Sequence, residues 1–356
     1  MTPHGTSRDR ILTGDTPTGK LHLGHWVGSV KRRVELQDTH DCFFILANMH
    51  AFTTRSDQPD EIRADTLEIV RDLLCMGIDP ERASIFLQSE VPAIAELTFL
   101  FSMLLPFNRV MRNPTLKEEI KVKGLGENYP FGFPLYAVGQ TADILAFRPT
   151  GVPVGEDQVP HLELTREVAR RFNQKYCKVG DKIDDADHVA EGGVFPVPVA
   201  DVGAVGRLVG IDGANKMSKS LNNAIYISDT AKQVQKKVNK IFTGRQSPTE
   251  PGDPDNILMQ YCDIFIPDQE RVAELRRKYA AGEDIGDGHI KQELGASINA
   301  LLEPMRERRM QFENDSDVID VLKRGTIAAN RVTEETLAMA KEAAGLGFFA
   351  RTLDIH

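Results

Sequence analysis

"RILTGDTPTGKLHLGH", residues 10–25, joins a short apolar run, a glycine-spaced turn and two histidines three residues apart. Gly14, Gly19 and Lys20 fall at the spacing of the phosphate loop G-x-x-x-x-G-K-[ST], whose last position supplies a hydroxyl to Mg²⁺. Leu21 stands at that position and has no hydroxyl, so this reading fails. The second reading takes residues 10–13 as a strand and His22-Leu23-Gly24-His25 as an H-x-G-H turn leading into a helix.

Outward from this turn the pattern alternates. "CFFILAN", 42–48, has the length and aromatic content of a buried parallel strand. Within 59–77, Ile62, Thr66, Ile69, Val70, Leu73 and Leu74 repeat at helical spacing, with Pro59 in the first turn and Gly77 near the stop. "ASIFLQSEV", 83–91, reads as the next strand. The order β-α-β-α-β predicts an α/β fold built on a doubly wound parallel sheet, whose ligands sit beyond the carboxyl ends of the strands. The 14–25 turn falls there. Residues 178–206, rich in Gly, Pro and Asp, read as loops, and after about residue 221 charged amphipathic segments predict a smaller all-helical domain.

Composition bounds the function. The 356 residues are 41% hydrophobic and 27% charged, which sets aside disordered, collagen-like and disulfide-framework chains. Cys42, Cys75, Cys177 and Cys262 form no C-x-x-C pair, so a zinc ribbon or redox pair is not expected, no metal site is assigned, and a reducing cytoplasm is the natural setting. "MTPHGTSRDR" at the N-terminus has no apolar stretch and no later run would span a bilayer, so no membrane partner is expected. A net charge of −9 argues against indiscriminate DNA coating and leaves room for a local basic face on one RNA.

The H-x-G-H reading gains weight from Lys216-Met217-Ser218-Lys219-Ser220. Alone, the first motif is a helix start with one capping and one packing histidine, and the second is a solvated loop. As a pair flanking a doubly wound sheet they resemble the two signatures of the class I aminoacyl-tRNA synthetases. "CFFILANMHAFTT", "YAVGQTADILAF" and "VPVGEDQVPHLELTREVARRFN" narrow the resemblance to the tryptophanyl-tRNA synthetase family, from about residue 10 to the end.

The resemblance implies a Rossmann-like catalytic domain over 1–210, a 211–222 signature loop, and a helical tRNA anticodon-binding domain over 223–356. It implies activation of L-tryptophan by ATP, with Mg²⁺, to tryptophanyl-adenylate and pyrophosphate, then transfer to tRNA(Trp). Such chemistry needs no covalent nucleophile; it needs positioning and positive potential where charge builds on the phosphates. His22, His25, Lys216 and Lys219 are the expected catalytic donors, the histidines beside a helix N-terminus that already favours anions. Gly24 leaves room for the adenine or ribose. Thr16, Gly155, Asp157, Met217 and Ser218 complete the ATP set, with Gly155 and Asp157 on the ribose.

For the amino acid, Tyr136, Gln140 and Asp143 share one helix face, and Asp143 can accept the indole N–H. Tyr136 and Gln158 are implied to hold the α-amino group, with Leu12, Val152 and Val154 around the ring. Gln140 departs from the family, which carries methionine there; Y-x-x-x-Q-x-x-D is the tyrosyl pattern, and tyrosine is the alternative substrate. Leu12 favours indole, because leucine cannot bond a phenolic hydroxyl and a buried unpaired hydroxyl costs about 1–3 kcal/mol. A synthetase-like regulator without catalysis is the third reading, weakened by two intact signatures. Residues 91–135 are implied to be the connecting insertion between the halves of the sheet and to carry a homodimer interface. The basic groups Lys232, Lys236, Lys237, Lys240 and Arg245, and Arg306, Arg308 and Arg309, are the expected RNA-facing clusters.

Overall fold

The structure is a computed structural model and describes residues 9–126, 128–154, 159–202, 208–219, 221–245, 247, 249–283, 285–351 and 353. Among these, strands β1 (Arg10–Asp15), β2 (Asp41–Leu46), β3 (Ala83–Leu87), β4 (Gly151–Val154) and β5 (Val199–Val202) form one parallel sheet in the order β3-β2-β1-β4-β5. The chain winds outward from β1 to β3, then returns to β4 on the other side of β1. A crevice therefore opens between the carboxyl ends of β1 and β4, the place where doubly wound sheets take their ligands.

After β1 come α1 (Leu23–His25) and α2 (Lys31–Leu36), joined by a π turn over Trp26–Val30. Helices α3 (Asn48–Arg55) and α4 (Pro59–Cys75) follow β2. The 91–135 segment holds α5 (Pro92–Ser102), α6 (Phe107–Met111) and α7 (Pro114–Val122), and α8 (Gly132–Leu145) leads into β4. Helix α9 (Val159–Tyr176) crosses to β5. Beyond β5 the described elements are helices: α10 (Ala231–Val238), α11 (Ile257–Phe265), α12 (Gln269–Ala281), α13 (Asp287–Arg309) and α14 (Asp315–Ala343).

Helix α4 shows how the sequence produces this layout. Pro59 opens it, Asp60 and Glu61 complement the N-terminal end of its dipole, and the residues at helical spacing are buried. Gly77, at φ +110°, turns the chain out of it. Two expectations are corrected. The strand expected over 83–91 ends at Leu87, and Gln88–Glu90 is a 3₁₀ turn. The 178–206 stretch contains β5, whose pairing with β4 runs from Gly151↔Val199 to Val154↔Val202. Its backbone bonds come from its neighbour, so a short edge strand needs no apolar pattern of its own.

Helix α14 does not stay with the other C-terminal helices. It lies on β3, so close that a Cβ at Gly325 would come 1.9 Å from the Ile85 carbonyl oxygen. The Leu87 N–H donates to Thr326 Oγ1 (3.3 Å), and Asn330 Nδ2 donates to the Glu90 carbonyl (2.8 Å). One apolar cluster runs from Ile11 and Phe44 on the sheet through Leu258 and Ile298 to Leu322. Segments on both sides of residue 222 thus share a core.

The arginines of α13 belong to that joint. Arg308 Nε donates to the Cys75 carbonyl (2.7 Å), Arg309 pairs with Asp72 and Glu68 on α4, and Arg306 Nε donates to the Asp229 carbonyl (2.9 Å). Arg245 pairs with Asp287 (2.6 Å) under the Tyr279 ring, and Lys237 with Asp229 (2.6 Å). These five have a structural role that the sequence did not show, because each guanidinium or ammonium already has an internal acceptor. Lys232, Lys236 and Lys240 are exposed on and just beyond α10.

Candidate active site

The crevice is a cleft of about 600 Å³. Its floor begins at the carboxyl end of β1, where Gly14 packs against β2 so tightly that a Cβ would come 2.1 Å from the Ile45 carbonyl oxygen. Asp15 follows and meets Arg33 of α2 at 2.5 Å, with the guanidinium 5.9 Å from the Phe44 ring centroid. Burial would raise the Asp15 carboxyl, and the Arg33 charge and hydrogen bond outweigh it and hold it low. Sequence reasoning passed over this pair; its signal was the arginine, a residue rarely buried without a partner, three residues into α2.

His22 precedes α1 in extended backbone and is 5% exposed, with its ring centroid 3.8 Å from that of His25. The His22 N–H donates to His25 Nδ1 (3.1 Å). Burial first, then the neighbouring positive groups, push His22 down to about 3; burial also takes His25 down to about 4. Both rings are neutral at pH 7. Because His25 Nδ1 accepts, its proton sits on Nε2, which leaves that nitrogen as a donor. His25 lines the cleft. Gly24 makes space for the His22 ring, which lies 3.0 Å from where a Cβ would be, so its missing side chain serves a histidine as well as any nucleotide.

The amino-acid side is built by α8, β1 and β4. Tyr136, Gln140 and Asp143 line the cleft together with Leu12, Val152 and Val154. Asp143 is 5% exposed, and Gln88 Nε2 donates to both of its oxygens, at 2.8 and 2.9 Å. Burial pushes Asp143 up to about 7 against the lowering effect of that amide. Gln88 Oε1 in turn accepts from the His50 N–H (3.1 Å), so the amide is fixed at both ends. Gln88 was read as strand, and only the end of β3 at Leu87, which the structure sets, places it at the site. His50 stacks on Tyr136, rings 4.2 Å apart at 28°, and burial takes it down to about 4. His161 Nε2 lies 3.5 Å from the Tyr136 hydroxyl, and Glu119 and Lys123 of the α7 region reach the rim. Gly155, Asp157 and Gln158 lie outside the described residues.

The first signature is hydrogen-bonded to the segment that follows the second. The Leu23 N–H donates to the Ile225 carbonyl (2.9 Å) and the Ile227 N–H to the Leu21 carbonyl (3.1 Å), which sets the 216–219 loop over the 14–25 turn. Asn223 braces the loop: Oδ1 accepts from the Ser218 N–H (2.7 Å), and Nδ2 donates to the Lys216 carbonyl (3.2 Å) and to Asp212 (3.0 Å). Lys216 lines the cleft with Thr16. The Met217 side chain, 1% exposed, points into the core and anchors the loop there. Lys219 lies over Gly19, and Ser220 is outside the described residues.

A family model described as "tRNA synthetases class I (W and Y)" matches residues 5–303. The chain belongs to this family. As a class I synthetase it is 41% identical over 349 residues to the tryptophan–tRNA ligase of Clostridium longisporum, covering 96% of this chain and 98% of that protein. The Treponema pallidum tryptophan–tRNA ligase is 43% identical over 343 residues, covering 95% and 97%. A Campylobacter jejuni tryptophanyl-tRNA synthetase solved with ADP and tryptophan superposes with a TM-score of 0.81 at 31% identity, covering 95% of this chain and all of that one. The synthetase fold thus carries neutral imidazole and a lysine at one end of a cleft and a buried carboxylate at the other. Such a cleft can hold a polyanion beside an aromatic N–H donor.

Proposed function

We propose that this class I synthetase activates L-tryptophan with ATP, releases pyrophosphate, and transfers the tryptophanyl group to tRNA(Trp). The observation that carries the tryptophan reading is Leu12 in the same cleft as Asp143: a buried carboxylate, held by Gln88, offers an acceptor to a ring donor, while Leu12 and Val152 offer a phenolic oxygen no donor. An indole N–H is a donor with no accepting ability, and a lone carboxylate in an apolar wall suits it. Leu12 offers a phenol nothing to bond. The tryptophan-specific relatives support the same choice.

In this reading the substrate carboxylate attacks the α-phosphorus of ATP, which brings Mg²⁺ with its phosphates. Lys216 and the His25 Nε2–H stabilise charge on the transferring and leaving phosphates, with His22 and Lys219 beside them. Thr16, Gly24, Ser218 and the main chain at Met217 border the nucleotide, Gly155 and Asp157 take the ribose, and Tyr136 and Gln158 hold the α-amino group. Residues 1–210 form the catalytic part, 211–222 the signature loop, and 223–356 the tRNA-binding part, with Lys232, Lys236 and Lys240 as its exposed cations on and just beyond α10. Phe99, Met103 and Phe107, each at least 60% exposed in the connecting insertion, support a homodimer there. Free thiols at Cys42, Cys75, Cys177 and Cys262 support a cytoplasmic setting.

The test is ATP–pyrophosphate exchange with each of the twenty amino acids, followed by charging of tRNA(Trp). Exchange with tryptophan alone is expected. Exchange driven by tyrosine would overturn the specificity, and exchange with none would favour a non-catalytic role.

A further inference from the structure

Of the two loop lysines, Lys216 lines the cleft and Lys219 lies elsewhere. Gly19 shows where. Its φ of +100° admits no ordinary side chain, and a Cβ built on it would come 1.9 Å from Lys219 Nζ and 3.0 Å from Asp65 Oδ1. The Lys219 ammonium and the Asp65 carboxylate thus flank the space that a Gly19 side chain would fill, within electrostatic reach of each other. The carboxylate is itself anchored: Asp65 Oδ2 lies 2.9 Å from Arg55 Nη2. Arg55 Nη1 donates to the Pro17 carbonyl (2.8 Å), which ties α3 and α4 to the same turn.

Burial lowers the Lys219 ammonium and Asp65 works against that loss, so the carboxylate favours the charged form of a lysine that desolvation disfavours. Asp65 is 24% exposed and ion-paired with Arg55, and it acts on Lys219 through its charge across the Gly19 turn.

We propose that Asp65 is a positioning residue for Lys219, docking its ammonium over the Gly19 turn so that the 216–219 loop closes beside the phosphate-bearing end of the cleft. This rests on the assignment of Lys219 to phosphate chemistry. Asp65 touches no substrate and acts only through the lysine. Arg55 keeps the carboxylate aimed, and Gly19 keeps the path between them clear.

The experiment is a double-mutant cycle on the full chain, read by tryptophan-dependent pyrophosphate exchange, with thermal unfolding of every variant alongside. Asp65→Asn should lower kcat roughly fivefold, the upper end for the interaction of two partly exposed charges, and leave the tryptophan KM unchanged. Asp65→Glu should restore part of the loss. In a Lys219→Met background, Asp65→Asn should add no further loss. Equal losses in both backgrounds, or none in either, would overturn the role of Asp65 while leaving Lys219 in place. If Lys219→Met itself left exchange unchanged, the assignment of the lysine would fall and the proposal with it.

Discussion

Replacing Asp143 with asparagine separates what the carboxylate costs the fold from what it does for the substrate. Burial moves its titration from 3.8 to about 7. At 1.36 kcal/mol per pH unit, keeping it ionised above pH 7 costs the native state about 4 kcal/mol relative to a solvated carboxylate. The native state binds a proton that the unfolded chain has already released, so stability falls as pH rises between about 4 and 7. The penalty is absent below that window and complete above it. The substituted amide would carry no charge and still accept from Gln88 Nε2 through its carbonyl oxygen.

Urea unfolding at pH 8 should therefore find Asp143→Asn more stable than the wild type, by up to about 4 kcal/mol, with the gap narrowing toward pH 5. Pyrophosphate exchange should move the other way. The tryptophan KM should rise about tenfold or more as a charge-assisted acceptor is lost, while the ATP KM stays put. In the wild type, kcat/KM for tryptophan should fall as pH drops through 7, and in the variant this step should vanish. Equal stability at pH 8, or a persisting step, would refute the account of Asp143 as a strained acceptor.

Lys216→Ala should lower the activation rate about 100-fold or more with little change in tryptophan KM, since its charge acts where the transition state is most anionic; pre-steady-state adenylate formation measures this. Arg33→Met should cost about 3–5 kcal/mol in denaturant unfolding, because Asp15 would be left buried without its partner, and Asp15→Asn in the same chain should recover much of it. Gly325→Ala should destabilise by about 2 kcal/mol or more, as its Cβ meets the Ile85 backbone at 1.9 Å. Gly295→Ala is the milder comparison: the atoms nearest its Cβ belong to the Gln235 amide, which can turn away at the loss of its bonds to Asn239 and the Lys291 carbonyl, so a smaller fall in melting temperature than for Gly325→Ala is expected.

The sheet was legible in the sequence because its signals are local. Residues 42–46 are apolar without interruption, α4 repeats its buried positions every three to four residues, and the 14–25 turn combines glycine spacing with two histidines. The shared face of Tyr136, Gln140 and Asp143 follows from helical spacing alone. Strand β5 was not legible, since an edge strand borrows its hydrogen bonds from β4. Gln88, Arg33, Arg55 and Asp65 were not legible either. Each acquires its meaning from a partner distant in sequence, Asp143, Asp15, Pro17 and Lys219 respectively, and pattern within a window says nothing about such pairs. The arginines of α13 mark the same boundary. A basic cluster looks solvated until the fold brings Asp72, Glu68 and the Cys75 carbonyl up to it, and burial then turns surface charge into a joint between the sheet and its helical half. Periodicity is a property of the chain, whereas desolvation and charge pairing are properties of what the fold sets beside it.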